Sequence, residues 1–190
     1  MLKLVKDYFD SAAKDWDKIC VHNPQKIKYV LDLLNIKKAD AVLDCGCGTG
    51  ILENFLPDLA GNITAVDISP KMIEVAKGKF KGYNIKFLNC DLFDINSKFD
   101  LIILYSIYPH IFDKDKLSKK LYEILKPSGR FAIFHTDGKN ILNNMHNNRP
   151  SGLSVKLNDA DTEKKYFENL FDITLTLDDK DYFLIYGVRK

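Results

Sequence analysis

The sequence predicts an α/β fold of three layers: a mostly parallel sheet of seven strands, covered by helices on both faces and closed by an antiparallel hairpin. Three observations carry this. Apolar strand-like runs alternate with amphipathic stretches along the chain, the pattern of successive βα units. The run AVLDCGCGTG, Ala41 to Gly50, reads as a buried parallel strand, an acid, then glycines at alternate positions before a helix. The last two apolar runs flank Asp178-Asp179-Lys180-Asp181, four turn residues that read as a hairpin.

The elements follow in order. Residues 2 to 18 are expected to be helical, with Leu4, Tyr8, Ala12 and Trp16 at helical spacing on one face. Asn23-Pro24 starts a second helix running to about Leu34, because Asn caps and Pro fits the first turn. Strand one is Ala41 to Cys45, followed by a helix from Gly50 to about Leu59. Strand two is Ile63 to Ile68, and Ser69-Pro70 caps a helix through about Lys79. Strand three is Ile85 to Leu88 and strand four Leu101 to Tyr105. A helix covers Lys114 to Leu125, ended by Pro127 and Gly129, and strand five is Arg130 to His135. Thr136 to Asp161 breaks the rhythm: it is rich in Asn and Gly, with only a short helix over Ile141 to His146. A helix from about Thr162 to Leu170 precedes strands Ile173 to Leu177 and Tyr182 to Val188.

A length of 190 residues suits one domain with a substantial core. Its parts are N-terminal helices over 1–38, a ligand-binding core over 39–135, an irregular segment over 136–161, and a helix with the closing hairpin over 162–190. A formal net charge of +2 gives no electrostatic reason to expect nucleic acid. No apolar run approaches the roughly 20 residues a membrane helix needs. The N-terminal stretch carries acids and lacks the apolar core of a signal peptide. Cys20, Cys45, Cys47 and Cys90 form neither a C-x-x-C zinc pattern nor a disulfide framework. A reducing cytoplasmic location is therefore expected.

The glycine run is the most informative segment. Gly46, Gly48 and Gly50 let the backbone take positive φ and bring main-chain N–H groups close to a ligand, beside a helix N-terminus. The spacing D-x-G-x-G-x-G is not the dinucleotide fingerprint G-x-G-x-x-G. A second acid, Asp67, ends the next strand in ITAVDIS. With VDIS followed by Pro70 and Met72, NCDLFD around Asp91, FDLIILYS from Phe99 and LKPSGRFAIF from Leu125, the chain resembles class I S-adenosylmethionine-dependent methyltransferases over roughly residues 40 to 135. The resemblance implies a Rossmann-like sheet of order 3-2-1-4-5-7-6.

It also implies the cofactor site, with S-adenosylmethionine as methyl donor and S-adenosylhomocysteine as product. Asp44 orients the loop and faces the ammonium, directly or through water. Gly46, Cys47 and Gly48 pass close to the methionine part, and Gly50 serves the loop or helix–strand packing. Asp67 accepts the ribose hydroxyls. Ile68 and Met72 sandwich the adenine, while Cys90, Asp91 and Leu92 meet its edge. The backbone of Tyr105 accepts from the ammonium, and Tyr8 and Trp16 close over the site or pack the first helix.

Four histidines border the expected mouth: His22, His110, His135 and His146. Each is a candidate base for the acceptor's proton, with methyl transfer rising through an imidazole pKa of roughly 6.5. A metal held by these histidines with Cys20 is conceivable, but no ligand spacing assigns one. YSIYPH after strand four departs from the Asn/Asp-Pro-Pro-Tyr motif of amino-directed DNA methyltransferases and points to a small-molecule acceptor. PHIFDKDK and the pair His135, His146 resemble a poorly characterised bacterial and archaeal subgroup. The expectation is direct in-line displacement by a monomer or homodimer with no nucleic-acid or membrane partner. The competing readings are a non-catalytic cofactor-binding sensor or accessory protein, a metal-assisted methyltransferase, a nicotinamide oxidoreductase and a macromolecular methyltransferase.

Overall fold

The computed structural model describes residues 2–147 and 149–190. The elements are α1 (Leu2–Ala12), α2 (Trp16–Ile19), α3 (Pro24–Leu33), β1 (Ala41–Cys45), α4 (Leu56–Leu59), β2 (Asn62–Asp67), α5 (Pro70–Lys79) and β3 (Ile85–Asn89). There follow β4 (Phe99–Tyr105), α6 (Lys114–Ile124), β5 (Leu125–His135), α7 (Lys139–Asn147), α8 (Ala160–Glu163), β6 (Phe171–Asp178) and β7 (Phe183–Arg189). The seven strands form one sheet of order β3-β2-β1-β4-β5-β7-β6, as expected. β1 to β5 run parallel, and β7 is antiparallel to both β5 and β6.

Alternation within the central strands builds the two halves of the core. Val42, Leu101 and Ile103 face α3 and α4, where Val30, Leu31 and Leu56 pack on them. Leu43, Ile102 and Leu104 belong to the other cluster, with Leu117 and Leu121 of α6 and Phe167. At the β3 edge, Ala65 and Phe87 pack with Ile73 and Ala76 of α5. The caps form where the sequence placed them. Asn23 accepts from the N–H groups of Gln25 and Lys26, and Ser69 accepts from Met72.

Five local expectations need correction. The first helix is not continuous to residue 18: a 3₁₀ turn over Ala13–Asp15 separates α1 from α2. The inward face carries Val5, Phe9 and Trp16, while Leu4 points outward. The helix expected over Gly50 to Leu59 is a 3₁₀ turn (Leu52–Asn54) followed by the four residues of α4. Pro57 has no N–H for the carbonyl of residue 53, so a continuous helix cannot pass. β5 begins at Leu125, which pairs with Phe99; the register then jumps to Leu101–Arg130, looping out Pro127 to Gly129. The helix expected from Thr162 instead starts at Ala160, capped by Asp159, and gives way to a 3₁₀ turn at Lys164–Tyr166. In the irregular segment, α7 spans nine residues, longer than the sequence suggested.

Candidate active site

The carboxyl ends of β1, β2, β4 and β5 open onto one cavity of about 520 Å³, roofed by α1, α2 and α7. This is the crevice where open α/β sheets bind ligands. Its floor is the glycine loop, in which Gly46, Gly48 and Gly50 all have positive φ. Gly48 faces open space; the nearest atom to a Cβ there is Trp16 Nε1 at 3.9 Å. Gly50 does not line the cavity. A Cβ on it would come within 2.6 Å of the Phe80 ring, so it serves close packing against α5.

Asp67 is tied to that loop. Its Oδ2 accepts from the N–H of Gly48 at 2.9 Å, and its Oδ1 from the N–H of Ser69 at 2.8 Å. Each carboxylate oxygen has two lone pairs, so acceptor capacity remains on the cavity side. Burial pushes its pKa up to about 6, although both N–H groups pull it down. Ile68, Met72 and Leu92 give this end apolar walls. Cys47 and Cys90 also line it. Asp91 reaches the cavity and also caps the turn after β3, accepting from the N–H of Phe93.

Asp44 is placed differently from the expectation. It is 1% exposed, absent from the cavity wall, and faces the carboxyl of Glu53 behind the loop. Asp44 Oδ2 and both Glu53 oxygens are buried without a hydrogen-bond partner, so two adjacent ionised carboxylates are disfavoured here and the pair tends to keep a proton. Burial raises the Asp44 pKa well above the carboxylate range and that of Glu53 to about 7. Tyr8 also lies off the cavity wall and sits 6.0 Å from the Arg149 guanidinium. Its neighbour Phe9 takes the place expected of it, edge-on to both Trp16 and His110.

The four histidines all line the cavity, in two groups. His22 Nδ1 meets the Tyr105 hydroxyl at 2.7 Å, and that hydroxyl meets Thr136 Oγ1 at 2.9 Å. Cys20 Sγ lies 3.4 Å from His22 Nε2. The second group gathers His110 from the turn after β4, His135 from the end of β5 and His146 from α7. The His110 and His146 ring centroids are 5.2 Å apart. His110 Nδ1 donates to the Leu153 carbonyl at 2.9 Å. His135 is 2% exposed, and neither of its ring nitrogens has a partner. Burial lowers the pKa of all three, to about 4, 3 and 4 for His110, His135 and His146. Among the described residues, no three His, Cys, Asp or Glu side chains come together as a group able to hold a metal ion.

The methyltransferase-domain family matches residues 36–176. The chain belongs to this family. The resemblance to class I S-adenosylmethionine-dependent methyltransferases read from the glycine loop and the acids after it is thereby borne out. A malonyl-[acyl-carrier protein] O-methyltransferase of Acetivibrio thermocellus is 33% identical over 150 residues, 76% of this chain and 53% of that protein. A ubiquinone biosynthesis O-methyltransferase of Coxiella burnetii is 30% identical over 143 residues, 72% of this chain and 59% of that one. The chain thus spans little more than half the length of these curated relatives. Among solved structures, magnesium protoporphyrin IX methyltransferase from Synechocystis PCC 6803 with bound S-adenosylhomocysteine superposes with a TM-score of 0.75. It is 22% identical, and the match covers 99% of each chain. At that identity the likeness speaks for the fold.

Several site residues escaped the sequence reading. Glu53 looks like a solvent-facing acid in a helical stretch, yet it is 1% exposed. Thr136 and Arg149 line the cavity, and Lys114 is buried behind it with its Nζ on the Tyr108 carbonyl. Only the position of Phe9, one residue from the expected helix face, left a signal.

Proposed function

We propose that this protein is an S-adenosylmethionine-dependent methyltransferase that methylates a small-molecule acceptor by direct in-line displacement. The observation that carries this is one cavity with two unlike ends: the Gly48–Asp67 floor at one, the buried histidines at the other. The first end fits the cofactor. Asp67 keeps free acceptor capacity for a vicinal diol, the backbone at Gly48 is open, and Ile68, Met72 and Leu92 form an apolar slot for a base. When bound, the cofactor supplies a methyl group on a sulfonium, an excellent leaving group. Asp91 is positioned for the edge of the base and Trp16 covers the loop. Asp44 acts from behind the loop, through its pairing with Glu53, rather than by contact with the ammonium.

The protein's remaining task is to align the acceptor with the methyl and keep water out. Phe9, Ile107 and Leu142 exclude water around the histidines. His110 and His135 are the candidate bases, with His146 beside them. His22 is held by Tyr105 and belongs to the wall between the two ends. The two relatives, both named as O-methyltransferases, support a methyl acceptor in this class. A cavity reaching past the cofactor end to unpartnered imidazoles favours catalysis over a binding-only role. Among the described residues no helix is long and apolar enough to cross a membrane, and all four cysteines are free, which suits a reducing compartment. The test is calorimetry: S-adenosylmethionine and S-adenosylhomocysteine bind, and NAD does not. Equal affinity for NAD would overturn the reading.

A further inference from the structure

We infer that the acceptor is a neutral molecule with an apolar body and one acidic protic group, a thiol or a phenol, received among His110, His135 and His146. This rests on the methyltransferase reading and names the substrate class of its second site.

The tautomer of His110 follows from its partner. The Leu153 carbonyl only accepts, so His110 Nδ1 carries the proton and Nε2 offers a lone pair. His135, buried on the cavity wall, presents one N–H and one lone pair, and both are unpartnered. His146 Nδ1 is likewise buried and unpartnered. A group that completes this set must give a proton to a lone pair and also accept from an N–H. An X–H group does both. A carboxylate only accepts, and an ammonium only donates.

The surroundings keep the imidazoles neutral. Burial lowers the basicity of all three, and the Arg149 guanidinium on the cavity wall acts the same way on His110 and His146. Lys114, buried behind the wall, has its own pKa pushed down to about 7, so it is no fixed cation. An ammonium entering here would meet that guanidinium. Arg149 instead favours charge growing on a departing X–H. Thiols and phenols ionise near pH 8.5 and 10, within reach of such help, whereas aliphatic alcohols do not. The walls around the histidines are Phe9, Ile107, Ile111 and Leu142, and the rim is exposed Ile19 and Val21. Val21 is 83% exposed, which leaves an apolar body surface to rest on at the mouth.

In the reaction, the acceptor's sulfur or oxygen forms its bond to the methyl carbon as the methyl–sulfur bond breaks, its electron pair staying on the departing sulfur. The acceptor's proton passes to an imidazole lone pair and from there to solvent, so no further reactant is needed.

The test uses four molecules with one body: 4-ethylphenylmethanethiol, 4-ethylphenol, 4-ethylbenzoate and 4-ethylbenzylamine. Each is titrated by calorimetry into the protein saturated with S-adenosylhomocysteine, and each is offered with S-adenosylmethionine while product release is followed. The thiol or the phenol is expected to bind and turn over at least about 100-fold better than the benzoate or the amine, the discrimination that unpaired buried polar groups impose. His135→Phe should abolish ternary binding while S-adenosylhomocysteine affinity stays within about twofold, since that ring lies away from Asp67. Should that variant not fold, His146→Ala on half-buried α7 serves the same comparison. Preference for the benzoate or the amine overturns the inference, and so does failure of both the thiol and the phenol in protein that binds S-adenosylhomocysteine. Failure to bind S-adenosylhomocysteine at all would instead overturn the methyltransferase reading.

Discussion

Asp67→Asn separates what this acid costs the fold from what it contributes to the ligand. In the folded protein its pKa lies at about 6, against an ordinary 3.8. The folded state therefore holds this proton more tightly than the unfolded chain, and stability falls as pH rises through the window from about 4 to 6. At 1.36 kcal/mol per unit, the full shift amounts to ~3 kcal/mol of destabilisation at pH 7. Asn removes the charge but cannot accept from both Gly48 and Ser69, which forfeits ~1–3 kcal/mol at every pH. Urea unfolding of the ligand-free proteins should show the wild type losing stability relative to the variant by up to ~3 kcal/mol between pH 4 and pH 7. The Asp44–Glu53 pair titrates in both proteins and largely cancels. Calorimetry should show S-adenosylmethionine affinity falling about 5- to 150-fold in the variant, the loss of a 1–3 kcal/mol charged acceptor. Ligand hydroxyls donate to the ionised form, so wild-type affinity should also weaken as pH drops below about 6. A stability difference that does not change with pH, or unaltered affinity, would refute the reasoning.

The histidines give a second pH signature. With pKa values of about 3 to 4, His110, His135 and His146 are already unprotonated at pH 5.5, so single-turnover methyl transfer should not rise through pH 6.5 on their account. A clear histidine-like limb there would place the base elsewhere. His135→Phe and His110→Phe should lower turnover by about 10²-fold or more, the usual contribution of a positioned base, with cofactor affinity nearly intact by calorimetry. Gly48→Val puts a branched side chain at φ +56 on the loop that meets Asp67. Cofactor affinity should drop at least tenfold, about 1.4 kcal/mol or more. Glu53→Gln lets an amide donate to Asp44 without a shared proton. Thermal unfolding at pH 8 should show it at least as stable as wild type, while Glu53→Ala, which leaves Asp44 buried and alone, should be destabilised by ~1–3 kcal/mol.

The division between what was legible in this sequence and what was not follows sequence distance. The glycine loop, its strand and Asp67 lie within 27 residues, and backbone geometry alone fixes what each must do. The sheet order was legible because alternating strands and a terminal hairpin leave few arrangements. The inward face of α1 was misplaced by one residue because the series Leu4, Tyr8, Ala12, Trp16, taken in steps of four, drifts steadily around a 3.6-residue helix, whereas Phe9 stands seven residues before Trp16 and shares its side. Glu53 was invisible for another reason. Acids in short helical stretches normally face water, and only the break at Pro57 with packing under Gly50 and Asp44 turns this one inward.

The acceptor end shows the same limit more sharply. Two of its histidines, His110 and His135, stood at strand ends, so their place at the mouth could be expected. Their protonation could not, because it depends on burial by Phe9 from α1, Leu142 from α7 and Leu153 from the loop beyond it. These residues run from position 9 to position 153 of the chain. An isolated imidazole at the mouth would titrate near neutrality and serve as an ordinary base. The same ring, closed under α1 and α7, becomes a neutral donor–acceptor pair that selects for what enters. The identity of the acceptor is therefore written in how the roof packs on the strand ends, and substitutions in α1 or α7 should change acceptor choice before they change cofactor affinity.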